Sequence, residues 1–212
     1  MPELIGRARR LAAQPRRSIL GITGAPGSGK STLAGELVAA LAPSAVAVPM
    51  DGFHLANAEL DRLGRSDRKG APDTFDAAGY VALLHRVRER KSHAVYAPAF
   101  DRALEEPVAG SIAVAPDVRL VVTEGNYLLL DEDPWSGVRS VLDEVWYVEV
   151  DEVLRLERLI ARHIRHGKSP SAARAWALGP DARNAERIAA TREQADLVVA
   201  GLGRQAGGWS PR

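Results

Sequence analysis

The chain has 212 residues, enough for one compact α/β domain and too few for two full ones. Its formal net charge is +1, and no apolar run reaches the roughly 20 residues of a membrane helix, so no nucleic-acid or membrane partner is indicated. It contains no cysteine, which removes disulfides, thiol catalysis and thiolate metal sites together and fits a reducing compartment.

The start, Met1-Pro2-Glu3-Leu4-Ile5, carries no long apolar stretch after a basic segment, so no signal peptide is expected and a cytoplasmic location is. Residues 3–13 read as a helix with Leu4, Ile5, Ala8 and Leu11 on one side and Arg7, Arg9 and Arg10 on the other, a solvated face more than an anion site. Residues 18–23 form a short apolar strand that runs into a Gly-rich loop. A helix follows from about Lys30, with Leu33, Leu37 and Leu41 on one face, and Pro43 ends it. Residues 45–50 read as a second buried strand ending at Asp51. Residues 53–75 are polar and irregular, and a stretch that long is more often functional than slack. Asp76 can cap the next helix, where Tyr80, Leu83, Leu84 and Val87 share a face. Residues 92–117 have room for a projecting hairpin. Residues 119–124 and 144–150 read as a third and a fourth strand, about 151–166 and 181–193 as helices, and 196–200 as a fifth strand. The last twelve residues are Gly-rich and expected to be loose.

Strands that alternate with helices and read as unbroken Val/Ile/Leu runs imply a parallel sheet buried on both faces. The expected fold is a single domain over 1–212, a three-layer α/β/α P-loop fold with a five-stranded parallel core sheet and a small lid. In such sheets ligands bind at the carboxyl ends of the strands. The loop after Thr23, Asp51 and Glu124 all fall there.

Gly24-Ala25-Pro26-Gly27-Ser28-Gly29-Lys30-Ser31 meets the pattern G-x-x-x-x-G-K-[ST] in full, between a strand and a helix, with Thr32 next. Backbone N–H groups of such a loop cradle phosphate oxygens at a helix N-terminus. Lys30 reaches the outer phosphates and Ser31 ligates Mg²⁺, so ATP and Mg²⁺ are the implied cofactors. No Asn-Lys-x-Asp guanine signature is present, and the length leaves little room for a motor. A kinase also needs a group to take a hydroxyl proton and carboxylates near the metal. Asp51 suits both roles, although a helix N-cap would explain it too. Glu124 suits the metal, although a solvated strand end is the plain alternative.

Four blocks carry a family resemblance: Met50-Asp51-Gly52-Phe53-His54; Arg68-Lys69-Gly70-Ala71-Pro72-Asp73-Thr74-Phe75-Asp76; Tyr96-Ala97-Pro98-Ala99-Phe100-Asp101-Arg102; and Thr123-Glu124-Gly125-Asn126-Tyr127-Leu128-Leu129. Over about residues 18–200 the chain resembles the uridine kinase / phosphoribulokinase / bacterial pantothenate kinase superfamily. Within it, it is most similar to the small bacterial nucleoside/nucleotide kinase proteins, some of them labelled fructose-transport-system kinases. The resemblance implies Asp51 as catalytic base near Mg²⁺, Glu124 as second acid at the metal, and Tyr96–Arg102 as a contact of the phosphoryl acceptor. It places acceptor binding at about 52–76 and 94–104, with His54, Arg68, Lys69, Phe75, Tyr96, Arg102 and Tyr127 as acceptor-side residues. Such kinases often dimerise, so a homodimer is one expected assembly. The chain lacks the extra helical regions of the pantothenate kinases, and uridine kinases carry a different block after the base, so neither specificity transfers intact.

Arg155, Arg158, Arg162 and Arg165 form a basic stripe opposite Leu156, Leu159, Ile160 and Ile164. A solvated face partly balanced by Glu152 and Glu157 would account for it. Matched to the lid of these kinases, at about 162–180, it instead makes Arg162 and Arg165 the groups that close over the transferring phosphoryl. Asn184 and Arg192 are assigned to the adenine. The histidines show no metal-ligand spacing, and Trp135 and Trp176 are assigned to packing. Two alternatives stay open. A nucleoside-monophosphate kinase would use Arg68, Lys69 and Arg102 for a substrate phosphate, and an ATP-binding regulatory protein would have little turnover.

Overall fold

The computed structural model describes residues 1–89 and 92–201. Five parallel strands, β1 (Ser18–Thr23), β2 (Ala45–Ala47), β5 (Leu120–Glu124), β6 (Glu144–Glu149) and β7 (Leu197–Ala200), form the central sheet in the order β2-β5-β1-β6-β7. Between β2 and β5 in sequence, β3 (Val95–Asp101) and β4 (Glu106–Val114) pair as a separate antiparallel hairpin. Alternate side chains of the sheet serve opposite faces, as the period of a strand requires. Leu20, Ile22 and Val122 meet Leu11 of α1 (Pro2–Ala12) and Leu33 and Leu37 of α2 (Lys30–Leu41). Ile19, Val121 and Val145 meet Tyr80 and Leu84 of α4 (Ala77–Arg88) and Val138 of α5 (Ser136–Val141). This is the three-layer α/β/α arrangement that the strand pattern implies. No helix among the described residues is long and apolar enough to cross a membrane.

The second strand is shorter than its apolar run. It stops at Ala47, because Pro49 has no N–H to extend the ladder. Val48 still donates to the Val122 carbonyl at 2.9 Å, and the chain then tightens into a 3-10 turn over Met50–Phe53. That turn lies directly on β3. A Cβ built on Gly52 would sit 2.4 Å from the Pro98 carbonyl oxygen, so only glycine allows the approach.

Residues 53–75 are more ordered than their polarity suggests. They hold α3 (Asn57–Arg62) and 3-10 turns over Ser66–Arg68 and Pro72–Thr74. The helix is six residues long and buries only Leu60, too little for a periodic signal. The segment leaves and rejoins the domain at one neck, where Leu55 donates to the Thr74 carbonyl at 2.9 Å and Asp76 donates to the Phe53 carbonyl at 2.8 Å.

After β6 come α6 (Glu152–Arg165), α7 (Pro170–Leu178) and α8 (Pro180–Ala189). The helix α7 is absent from the sequence expectation, yet its start is readable: Ser169 accepts from Ala172 N at 3.2 Å and Pro170 opens the first turn. The helix expected to run to 193 ends at Ala189, and a 3-10 turn over Arg192–Gln194 follows. Beyond Gly201, the Gly-rich end lies outside the described residues.

Candidate active site

Strand order brings the functional groups together. Glu124 pairs in register with Ile22, so it lies beside the loop that leaves β1. The β2 strand flanks β5 on its other side, which sets the turn carrying Asp51 next to Glu124. The loop itself rests on α6. Gly27 has φ +86°, and a Cβ there would lie 2.9 Å from the Arg155 carbonyl oxygen. Arg155 is buried, donates Nη1 to the Pro26 carbonyl at 3.0 Å and pairs with Glu152 at 2.6 Å. It braces the loop from beneath instead of facing an open anion site.

Lys30 is buried and donates Nζ to the carbonyls of Gly24 (2.8 Å) and Ala25 (3.1 Å). Burial pushes its pKa down to about 8, against the opposing pull of Glu124. Ser31 Oγ donates to Glu124 Oε1 at 2.9 Å. Burial, then the charge of Asp51, push the Glu124 carboxyl above its usual range. A hydroxyl and two carboxylates on one cleft wall are the hard oxygen donors that Mg²⁺ prefers, and a cation there would relieve the repulsion between the acids. No three His, Cys, Asp or Glu side chains among the described residues form a metal cage of their own. The Ser28 hydroxyl, buried in the same loop, has no hydrogen-bond partner among the described residues.

A nucleotide phosphate held by the Lys30 ammonium would raise its pKa and take up a proton above the free-state value of about 8. Affinity for an ATP analogue is therefore expected to be level below that pH and to fall by up to about tenfold per unit above it. Titrating a fluorescent analogue from about pH 7 to 9.5 checks this. An unchanged affinity throughout would remove Lys30 from the phosphates.

From the loop a cleft of about 430 Å³ extends over the 3-10 turn toward the hairpin and α7. Asp51 Oδ2 accepts from Arg102 Nη2 at 2.8 Å. Arg102 lies over the Phe100 ring, 4.8 Å from its centroid. His54 packs between Phe75 and Phe100, with ring centroids at 4.0 and 4.8 Å. Its Nδ1 is 2.9 Å from the Asp51 carbonyl oxygen, which can only accept, so Nδ1 carries the proton. Burial pushes the His54 pKa down, and the neutral ring keeps Nε2 as an acceptor.

Lys30, Ser31, Asp51 and Glu124 line this cleft together with His54, Lys69, Phe75, Arg102 and Arg162. Other expected residues lie elsewhere. Arg68 pairs with Asp73 at 2.8 Å and is not on the cleft wall. Tyr96 is 60% exposed and points away from the side that buries Val95 and Ala97. Tyr127 is buried and donates to the Gly70 carbonyl. Arg165 is exposed at the end of α6. Asn184 donates Nδ2 to the Gly70 carbonyl at 3.3 Å, in the segment between α3 and α4. Arg192 pairs with Glu149 at 2.9 Å, at the end of β6.

Several lining residues were not singled out individually as site residues in the sequence: Phe100, within the Tyr96–Arg102 stretch; His163, Lys168 and Trp176, within the lid range; and Asn126 and Asp181. Trp176 carries Lys168 Nζ 4.4 Å above its ring, so it walls the cleft and is not mere packing. His163 Nε2 is 2.7 Å from Asp181 Oδ2, joining α6 to α8. The Ser169-Pro170 start of α7 was the signal that could have located Lys168 and Trp176.

Comparison with known proteins agrees with the fold. Residues 19–206 match the Phosphoribulokinase / Uridine kinase family. A crystal structure from Silicibacter sp. TM1040, described as a candidate fructose transport system kinase, superposes with a TM-score of 0.83 at 42% identity, covering 93% of this chain and 97% of its own. The ATP-dependent kinase-like protein notR' of Aspergillus versicolor is 38% identical over 165 residues, 74% of this chain and 96% of its own. A candidate uridine kinase of Schizosaccharomyces pombe is 37% identical over 174 residues, 78% of this chain and 74% of its own.

Proposed function

The chain belongs to the phosphoribulokinase / uridine kinase family and is an ATP-dependent phosphotransferase with a hydroxyl acceptor, and from this premise we propose that it phosphorylates a small molecule held between residues 52–76 and 94–104. The observation that carries the proposal is the placing of Asp51 on one cleft with Lys30, Ser31 and Glu124. A carboxylate beside the phosphate loop and open to the acceptor segment suits a general base.

The roles follow from position. Backbone N–H groups of the loop and the Lys30 ammonium hold the phosphates of ATP. Ser31, Glu124 and Asp51 would hold Mg²⁺, which when bound neutralises phosphate charge. Asp51 exchanges its contact with Arg102 for the acceptor hydroxyl and takes its proton as the γ-phosphoryl transfers in line. Arg162 supplies a planar cation for the charge that develops on the phosphoryl oxygens. Residues 162–180 act as a lid, since Arg162, His163, His166, Lys168 and Trp176 all line the same cleft, and closing it excludes water. The site of action is the cytosol, where ATP is supplied.

A panel of nucleosides, sugars, pantothenate and monophosphates, read by ADP formation, tests the proposal. One acceptor should raise turnover well above the rate with water alone. Slow hydrolysis that no acceptor accelerates would instead describe a nucleotide-binding regulator.

A further inference from the structure

The acceptor end of the cleft is lined by three cations, against the carboxylates of Asp51 and Glu105 on the same wall. Lys30 and Arg162 stand at the phosphate side. Lys69, Arg102 and Lys168 line the same cleft from three separate segments: the loop after α3, the hairpin, and the α6–α7 connection. We propose that the phosphoryl acceptor carries a carboxylate or phosphate group besides its reacting hydroxyl, and that Lys69, Arg102 and Lys168 bind this group. The inference rests on the kinase function proposed above.

Two of these cations share one ring. Arg102 lies 4.8 Å and Lys69 5.2 Å from the centroid of Phe100. Lys168 lies 4.4 Å over Trp176. An aromatic face positions a cation without neutralising it. Lys69 donates to Asn57 Oδ1 at 2.7 Å and to the Glu105 carbonyl at 2.6 Å, both uncharged acceptors. An ammonium has three N–H donors, so these two contacts leave one for a ligand. The acids Glu105 and Glu106 favour its charge, while burial, Arg102 and Lys168 work against it. Arg102 and Lys168 are thus close enough to Lys69 for their charges to be felt there. Among the described residues Arg102 has one carboxylate partner, Asp51, the group that must be freed for the acceptor hydroxyl. When it is freed, Arg102 needs another anion, and one on the acceptor would meet that need at the moment of binding. Arg65 and Arg68, the other basic residues of the loop after α3, are both already held by Asp73.

The test uses the full chain and matched acceptors that differ in charge: uridine with uridine monophosphate, ribose with ribose 5-phosphate, and pantothenol with pantothenate. The charged member of the best pair should have the higher kcat/KM, by about 10–100-fold, the value of one or two hydrogen bonds to a charged group. The phosphate and carboxylate pairs separate the two kinds of anion. Lys168→Met should lower this charge preference about tenfold or more, through acceptor KM more than kcat. Lys69→Met should do the same, and Lys168→Met remains informative if loss of the contacts to Asn57 and Glu105 unfolds the Lys69 variant. Preference for neutral members, or an unchanged preference in Lys168→Met, overturns this inference and leaves the kinase function standing. Turnover of no member of any pair, with ATP binding intact, overturns both.

Discussion

Replacing Asp51 by Asn is expected to lower kcat by about 10²–10⁴-fold, the usual contribution of a positioned general base. The amide keeps the shape of the carboxylate and its ability to accept from Arg102, but it cannot take a proton. The 3-10 turn is held by backbone contacts that the substitution leaves in place, with Gly52 against Pro98 and the Phe53 carbonyl accepting from Asp76. Thermal stability should therefore move little, and the loss should appear in single-turnover transfer with ATP bound. If kcat stays within about tenfold of the parent, Asp51 only positions Arg102 or the metal.

The second large effect is expected at Arg162. Burial lowers its pKa, Arg102 lowers it further, and Asp181, Asp51 and Glu124 oppose both. A guanidinium kept in such a place despite its desolvation cost has a use for its charge. Arg162→Ala should lower kcat about 10²–10³-fold, as loss of a preorganised donor to a developing anion does, with a smaller change in KM for ATP. Arg162→Lys should recover part of the loss, because it keeps the charge but not the planar fork. Unchanged turnover in Arg162→Ala, measured with the best acceptor, would leave the lid without a catalytic cation. Arg165→Ala is the internal comparison: that side chain is exposed and off the cleft wall.

The phosphate half of the site was legible in the sequence because it is local. The loop motif, the strand before it and the Leu33, Leu37 and Leu41 stripe after it lie within one βα unit. Asp51 and Glu124 were legible from strand ends, although Asp51 arrives on a turn that Pro49 starts. The acceptor half was read less well, because small irregularities decide which side chains face inward. The pairing of β3 with β4 is interrupted between Ala97 and Ala99, where β4 carries the extra residues, and Phe100 lines the cleft while Tyr96 faces solvent. In α6, Arg162 follows Arg155 by seven residues and returns to nearly the same face, whereas Arg165 is turned off that face by about 80° at 100° per residue. The contacts of Asn184 and Tyr127 with Gly70 join residues far apart in sequence, and no pattern in one segment announces them.

The neck at Leu55–Thr74 and Phe53–Asp76 has an evolutionary consequence. The residues between its two ends form an excursion closed by backbone hydrogen bonds, and Gly70 within it is moored from outside by Tyr127 and Asn184. Insertions or replacements inside the excursion strain neither the sheet nor the phosphate loop, as is usual for loops carried on a rigid scaffold. Selection can rewrite this stretch like an interchangeable cartridge while the sheet and the phosphate loop stay the same.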